Sequence, residues 1–215
     1  EKDRGIWQTW TWHEYHDQVR DLALGLAALG FRRGDRLSVI GDNRPRLYWS
    51  MLAAQCLGGV PVPMYQDAPA AEFMFVLNDA EIDFAVVEDQ EQVDKVLEAK
   101  PQVPTLAHIY YDDPRGMRHY KQPQLMSYDS LIKEGRAAFA RDPAFLEGEI
   151  AKGRGSDTAA MFFTSGTTGH PKGVVLSHDN LILASRAYAE LEGLTDEEEV
   201  LAYLPMAWIG QNLFS

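Results

Sequence analysis

The chain has 215 residues, 46% of them hydrophobic and 24% charged, which is enough apolar material for a substantial core in an ordinary globular protein. Its 32 acidic residues against 20 basic ones leave a net charge of -12, which argues against a diffuse nucleic-acid binder, since such proteins present a basic field. No apolar run approaches the ~18 residues of a membrane span, and the single Cys56 excludes an intrachain disulfide framework and any multi-cysteine zinc site.

In chain order, Glu1-Lys2-Asp3-Arg4 leads into Trp-rich sequence and lacks the apolar stretch of a signal peptide. Thr11 and Glu14 have the spacing of a capping box, in which each side chain satisfies an orphan donor at a helix start. Val19, Leu22, Leu26 and Leu29 follow at helical spacing, and Gly30 ends the run. Arg36 to Gly41 reads as a short strand. Asn43-Arg44-Pro45 opens a second helix with Leu47, Met51 and Ala54 on its apolar face. Val60 to Met64 carries two prolines and is therefore extended.

Pro69 starts a helix bearing Phe73, Val76, Leu77 and Ala80. Asp83 to Glu88 reads as a buried strand, Gln90 to Lys100 as a charged amphipathic helix, and Leu106 to Tyr111 as another strand. A turn-rich loop runs from Tyr111 to Gly116. Asp129 to Ala140 is predicted to be helical, and residues 142–157, rich in Gly and charge, to be a connector. Thr158 to Phe163 is a strand, a polar loop follows, and Gly173 to Ser177 is the next strand. His178 to Leu191 is a helix with Leu181, Ala184, Tyr188 and Leu191 on one face. Helices alternating with short, continuous apolar strands imply a layered α/β fold whose mostly parallel sheet is covered by helices on both faces.

The polar loop carries the chemistry. Thr164-Ser165-Gly166-Thr167-Thr168-Gly169-His170-Pro171-Lys172-Gly173 holds four hydroxyl side chains, three glycines and one lysine. Glycines let a backbone approach a ligand closely, and successive N–H groups in such a turn form an anion-binding nest. The hydroxyls add neutral donors and Lys172 a mobile positive charge, a set that suits a polyphosphate. The bland alternative is a Ser/Thr/Gly-rich surface turn, but a tight hairpin needs two to five residues and this loop is longer. It is not the kinase-type phosphate loop, because Pro171 stands where the second glycine belongs and Gly173 follows Lys172. Gly153-Arg154-Gly155 is not a dinucleotide fingerprint either, since Thr158 occupies the third glycine's place.

The stretch Phe163 to Val175 closely resembles the signature of the adenylate-forming (AMP-binding) superfamily, which includes acyl-CoA synthetases, luciferases and peptide-synthetase adenylation domains. Gly34 to Val39 with Asn43-Arg44-Pro45 resembles that family's early strand and helix, and Gly58 to Met64 its next strand. Ser177-His178-Asp179-Asn180 follows the loop as the family pattern requires. Tyr203-Leu204-Pro205-Met206-Ala207-Trp208 resembles the Leu-Pro motif that lines the acid pocket. Many members carry an aromatic residue and then His after that motif. Ala207 and Trp208 stand there instead, a pattern that looks more like long-chain acyl-CoA ligases.

The resemblance implies ATP-dependent activation of a carboxylic acid, with a medium- or long-chain fatty acid favoured, to an acyl-adenylate and then an acyl-CoA. ATP and coenzyme A are the implied co-substrates and Mg2+ the implied metal. Thr164, Ser165, Gly166, Thr167, Thr168, Gly169 and Lys172 are the implied phosphate-binding set. Lys172 is the catalytic candidate, Thr164 the metal ligand and Trp208 the substrate-pocket residue. The absent initiator Met and the helical pattern that has just begun at Gln211 to Ser215 are read as cut ends. Residues 1–215 are thus expected to be an incomplete N-terminal domain, inactive alone, without the lid domain and its catalytic lysine. Two other functions stay open: an adenylating domain that loads a carrier protein, and a nucleotide-binding module without turnover. A cytoplasmic setting is expected, with peripheral membrane association and oligomeric state left open.

Several residues invite sharper readings that their surroundings weaken. His13-Glu14-Tyr15-His16 lacks the second histidine of a zinc protease motif, because Asp17 stands there, so capping and surface roles are expected. His178 is expected to position the helix beside the loop. Trp7, Trp10 and Trp12 are expected to pack on the sheet, Glu197 to Glu199 to form a solvated loop, and Cys56 to sit in the core.

Overall fold

The computed structural model describes residues 2–3, 5–164 and 171–214. A short antiparallel pair, β1 (Lys2–Asp3) and β2 (Ile6–Trp7), precedes helix α1 (Trp12–Ala28). The capping box forms as expected: the Thr11 hydroxyl accepts from the Glu14 N–H at 3.2 Å, and the Glu14 carboxylate accepts from the Thr11 N–H at 2.7 Å. The Thr11 N–H, and the Thr11 hydroxyl donating to the same carboxylate at 2.9 Å, pull the exposed Glu14 carboxyl below its ordinary pKa.

The central sheet has five strands: β3 (Arg36–Ile40), β4 (Val60–Met64), β5 (Phe84–Val87), β6 (His108–Tyr111) and β7 (Leu125–Ser127). Their spatial order is β4-β3-β5-β6-β7 and every pairing is parallel. Alternation of side chains sorts each strand between two cores. Leu37, Val39, Phe84, Val86 and Tyr110 face one layer, with α1, α2 (Pro45–Cys56) and α5 (Tyr128–Arg141). Ile40, Val62, Met64, Ala85, Val87 and Ile109 face the other, with α3 (Ala70–Asp79) and α4 (Gln90–Ala99). This is the expected parallel sheet covered on both faces.

The two prolines of β4 mark where that sheet stops. Val60 N–H donates toward β3, to the Asp35 carbonyl at 2.9 Å. Donors therefore alternate so that Pro61 and Pro63, which have no N–H, face the outer edge, where prolines are tolerated. Strand β8 (Thr158–Thr164) packs beside β4 but is laddered to β9 (Lys172–Ser177) in a separate antiparallel pair. The extended chain at 158–177 is thus an antiparallel annex to a parallel sheet.

Two close helix approaches fix the layer of α1 and α5. A Cβ on Gly135 would lie 1.6 Å from the Asp21 carbonyl oxygen, and one on Gly25 would lie 2.2 Å from that of Leu131. The buried Asp21 carboxylate bridges the same pair of helices, accepting from Arg20 at 2.7 Å and from Arg136 Nε at 2.9 Å.

Two expectations need correction. The N-terminal tryptophans do not pack on the sheet. Trp10 stands edge-on against Trp49 of α2 at 5.5 Å, and Trp7 and Trp12 are largely exposed. The stretch 142–157 is not only a connector, since α6 (Phe145–Ile150) lies within it and buries Leu146. Helix α7 (His178–Glu192) forms as expected, capped by Ser177 and Asn180, and none of its residues is fully buried.

Candidate functional site

The phosphate-loop candidate hangs from the β8–β9 pair. Thr164 is the last residue of β8 and Lys172 the first of β9, and the two are cross-strand partners. Phe163 pairs with Gly173, where a Cβ would crowd the Phe163 ring at 3.3 Å, so the glycine leaves room for a buried aromatic. Thr164 and Lys172 are both exposed, and Lys172 meets no carboxylate partner among the described residues. Ser165, Gly166, Thr167, Thr168, Gly169 and His170 lie outside the described residues. The stretch 164–173 is expected to be loop, but Thr164, Lys172 and Gly173 belong to the flanking strands, which pair as a hairpin's do.

The direction of β8 decides where this loop sits. Thr158, at its start, shares a cavity wall with Gly34, Arg36, Gly58 and Val60, at the amino ends of β3 and β4. Phe163, at its other end, belongs to the core layer that holds Met64. Strand β8 therefore runs in the same sense as β4 and delivers Thr164 to the carboxyl end of the sheet, the side on which open α/β sheets bind ligands.

A cavity of about 440 Å³ opens at that same end. Gly41 to Arg44 after β3 and Met64 to Asp67 at the end of β4 form one side, and Tyr203 to Met206 the other. Its framework is a set of side chains gripping backbone. Glu88 accepts from the Asp42 N–H at 2.6 Å and from Arg44 Nε at 2.7 Å. Gly41 permits this approach, because a Cβ there would lie 2.5 Å from the Glu88 Cβ. Gln66 donates to Asp42, joining the turns after β3 and β4. Across the cavity, Asn43 Nδ2 donates to the Leu204 carbonyl at 2.9 Å. Trp208 is half-exposed just ahead of α8 (Ile209–Phe214) and hydrogen-bonds Tyr65, a wall residue. Burial raises the Tyr65 hydroxyl's pKa and that bond opposes the rise.

The family model for the AMP-binding enzyme matches residues 3–214. The chain belongs to the AMP-binding enzyme family. Among its relatives, the long-chain-fatty-acid–CoA ligase FadD15 of Mycobacterium bovis is 33% identical over 210 residues, covering 95% of this chain and 33% of that protein. The long-chain-fatty-acid–CoA ligase ACSBG2 of Xenopus laevis is 30% identical over 212 residues, covering 96% of this chain and 28% of that protein. The chain thus spans about a third of the length of these relatives. The inhibitor-bound N-terminal domain of FACL13 from Mycobacterium tuberculosis superposes with a TM-score of 0.71 at 25% identity, over 94% of this chain and 46% of that one. The long-chain-fatty-acid–CoA ligase FadD1 from Archaeoglobus fulgidus superposes with a TM-score of 0.79 at 19% identity, over 99% of this chain and 38% of that one.

Within this AMP-binding domain the remaining candidates take structural places. His13 and His16 approach Asp17 at 3.7 and 3.5 Å on the surface of α1. The described residues contain no group of three His, Cys, Asp or Glu able to hold a metal ion. His178 opens α7 and its N–H donates to the Asp157 carbonyl at 3.1 Å, which ties the helix to the chain before β8. Cys56 is half-buried against the α1–α2 core, and burial pushes its thiol pKa up. Glu197 to Glu199 are exposed. No helix among the described residues is long and apolar enough to cross a membrane.

The cavity also draws on residues that sequence reading gave no role. Glu88 and Gln66 act through hydrogen bonds between segments far apart in the chain, and no local spacing marks such pairs; Gln211 bonds back to Leu204, seven residues away.

Proposed function

We propose that this domain binds ATP through the loop between β8 and β9 and activates a carboxylic acid as an acyl-adenylate, which coenzyme A then takes up. The observation that carries the reading is the pairing of Thr164 with Lys172 at the carboxyl end of the sheet, within a chain matched by the AMP-binding family along its length. A hydroxyl and an ammonium face solvent together there, with no carboxylate competing for the lysine among the described residues. That donor set fits a triphosphate. The Thr164 hydroxyl would be a protein ligand to Mg2+ bound with the triphosphate. Mg2+, when bound, supplies positive charge that this acidic domain lacks.

In this scheme the substrate carboxylate attacks the α-phosphorus of ATP. The bond to the β-phosphate oxygen breaks and pyrophosphate leaves. Lys172 and the loop's N–H and hydroxyl donors hold the β- and γ-phosphates while negative charge gathers on them, which is where fixed donors lower a barrier most. Placing the acid in the neighbouring cavity turns a bimolecular attack into a local one. The cavity is mixed in character: Met64, Tyr65, Leu204 and Met206 offer apolar surface to an acyl portion beside the polar Asp42, Arg44, Gln66 and Asp67. The names of the relatives favour a long-chain fatty acid and coenzyme A as the acceptor. A cytoplasmic setting belongs to the same proposal.

Adenylate formation is reversible, so the full-length protein should exchange labelled pyrophosphate into ATP only when a suitable acid is present. A panel from acetate to palmitate, with aryl and amino acids, identifies the substrate. Absence of exchange with every acid, in folded protein with Mg2+, would overturn the reading in favour of a non-catalytic nucleotide-binding module.

A further inference from the structure

We propose that Asn43 and Gln211 are positioning residues that clamp Leu204 and so set the width of the acid cavity. The inference rests on the acid-activating reading and assigns two residues to it. Tyr203 to Pro205 lie outside any helix or strand, so no backbone ladder fixes their position. Pro205 has no N–H, and it biases Leu204 toward an extended conformation. The Pro205 carbonyl accepts from the Trp208 N–H at 2.9 Å, while both polar backbone groups of Leu204 are left to side chains.

The structure supplies those side chains from two directions. Asn43 Nδ2, from the turn between β3 and α2, donates to the Leu204 carbonyl at 2.9 Å across a separation of 161 residues. Gln211 Oε1, from α8, accepts from the Leu204 N–H at 2.9 Å. Gln211 is one of few buried polar residues, 2% exposed, so its bond to Leu204 is shielded from water. Asn212 continues the grip by donating to the carbonyls of Met206 and Trp208, each at 2.9 Å. Both backbone polar groups of Leu204 are thereby taken by side chains, and the wall from Tyr203 to Met206 is pinned against the carboxyl ends of β3 and β4. A substrate entering between Met64–Tyr65 and Leu204–Met206 meets a gap whose width these two amides define. Thr164 and Lys172, the described triphosphate candidates, take no part in these hydrogen bonds, and the clamp is assigned to the acid.

Two variants test the clamp. Asn43→Asp keeps the size of the side chain but sets a carboxylate against the Leu204 carbonyl, and an acidic residue just before α2 is compatible with that helix's dipole, so the fold should survive. Gln211→Met keeps length and removes the acceptor. Amide hydrogen exchange of the 215-residue chain should show Leu204 exchanging about ten-fold faster in Gln211→Met, the size expected for one lost hydrogen bond. In the full-length protein both variants should raise KM for the acid about ten-fold and leave KM for ATP within about two-fold. Gln211→Glu, which keeps an acceptor oxygen, should recover most of the Leu204 protection. Unchanged Leu204 protection in Gln211→Met overturns the clamp itself. A parallel rise in both KM values overturns its link to the acid. A wild-type protein that shows no acid-dependent exchange overturns the function assigned to the cavity, and in that case the hydrogen-exchange result alone decides whether the clamp exists.

Discussion

Replacing Gly135 by Ala sets two effects of known size against each other. In a helix interior Ala is favoured over Gly by about 1 kcal/mol, so an exposed position would gain stability. At Gly135, however, the new Cβ would stand 1.6 Å from the Asp21 carbonyl oxygen and 2.9 Å from the Gly25 nitrogen. Both obstacles are backbone of α1, which cannot rotate away as a side chain can. The two helices must separate, and the layer that buries Leu22, Leu26, Tyr128 and Leu131 loosens with them. Overpacking of this kind costs about 1–3 kcal/mol, and a backbone obstacle places it at the upper end. The net loss is then about 2 kcal/mol, or roughly 4–8 °C in Tm for a chain of this size. Gly148 in α6 is the internal control. A Cβ there meets nothing within 4 Å, so Gly148→Ala should stabilise by about 0.5–1 kcal/mol. Thermal and urea unfolding followed by circular dichroism measure both. If Gly135→Ala matches the wild type, or moves Tm in the same direction as Gly148→Ala, the close crossing of α1 and α5 is wrong.

Two further outcomes concern titratable groups. His108 stacks on Phe84 at 4.6 Å, and burial lowers its pKa below the ordinary 6.5, with Asp83 opposing. A depressed histidine favours the neutral form in the fold, so its contribution is complete above pH 6.5 and is lost as pH falls from there through the folded value. Urea unfolding at stepped pH should show that loss, and His108→Gln should flatten the profile over that window; an identical profile in the variant would remove His108 as its source. Cys56, whose thiol is raised by burial, should alkylate with iodoacetamide at pH 8 at least about ten-fold more slowly than glutathione. A rate equal to glutathione's would show that the α2 surface is open there.

What could be read in advance followed local chemistry. The capping box at Thr11 and Glu14, the prolines of β4 and the hydrophobic spacing of Phe73, Val76 and Leu77 each state their structure within a few residues. Strand β7 has three residues and α6 has six, with Gly148 and two glutamates diluting its apolar signal, so neither is long enough for a periodic pattern to stand out. The fate of the tryptophans depended on Trp49, far along the chain, and could not be read from their own neighbourhood. At the candidate site, the hydroxyls, glycines and Lys172 read as a phosphate-binding composition, and of that set the structure describes Thr164, Lys172 and Gly173. The antiparallel pairing that sets Thr164 across from Lys172 was not legible, because strand direction is a tertiary property. The bond from Asn43 to Leu204 was equally hidden, since 161 residues separate the two.

The central claim is that Lys172 acts on the leaving pyrophosphate, and the two half-reactions of the full-length protein separate that role from any other. Lys172→Ala should slow adenylate formation from ATP and acid by about ten- to a hundred-fold, the loss expected for one charge-assisted contact to phosphate. Thr164→Ala should slow the same step less. Transfer from a supplied acyl-adenylate to coenzyme A should be nearly unaffected in both, because pyrophosphate has already left. Single-turnover measurement of each step gives the comparison. Equal damage to both steps in Lys172→Ala would contradict the assignment and place the lysine in the fold or in thioester formation.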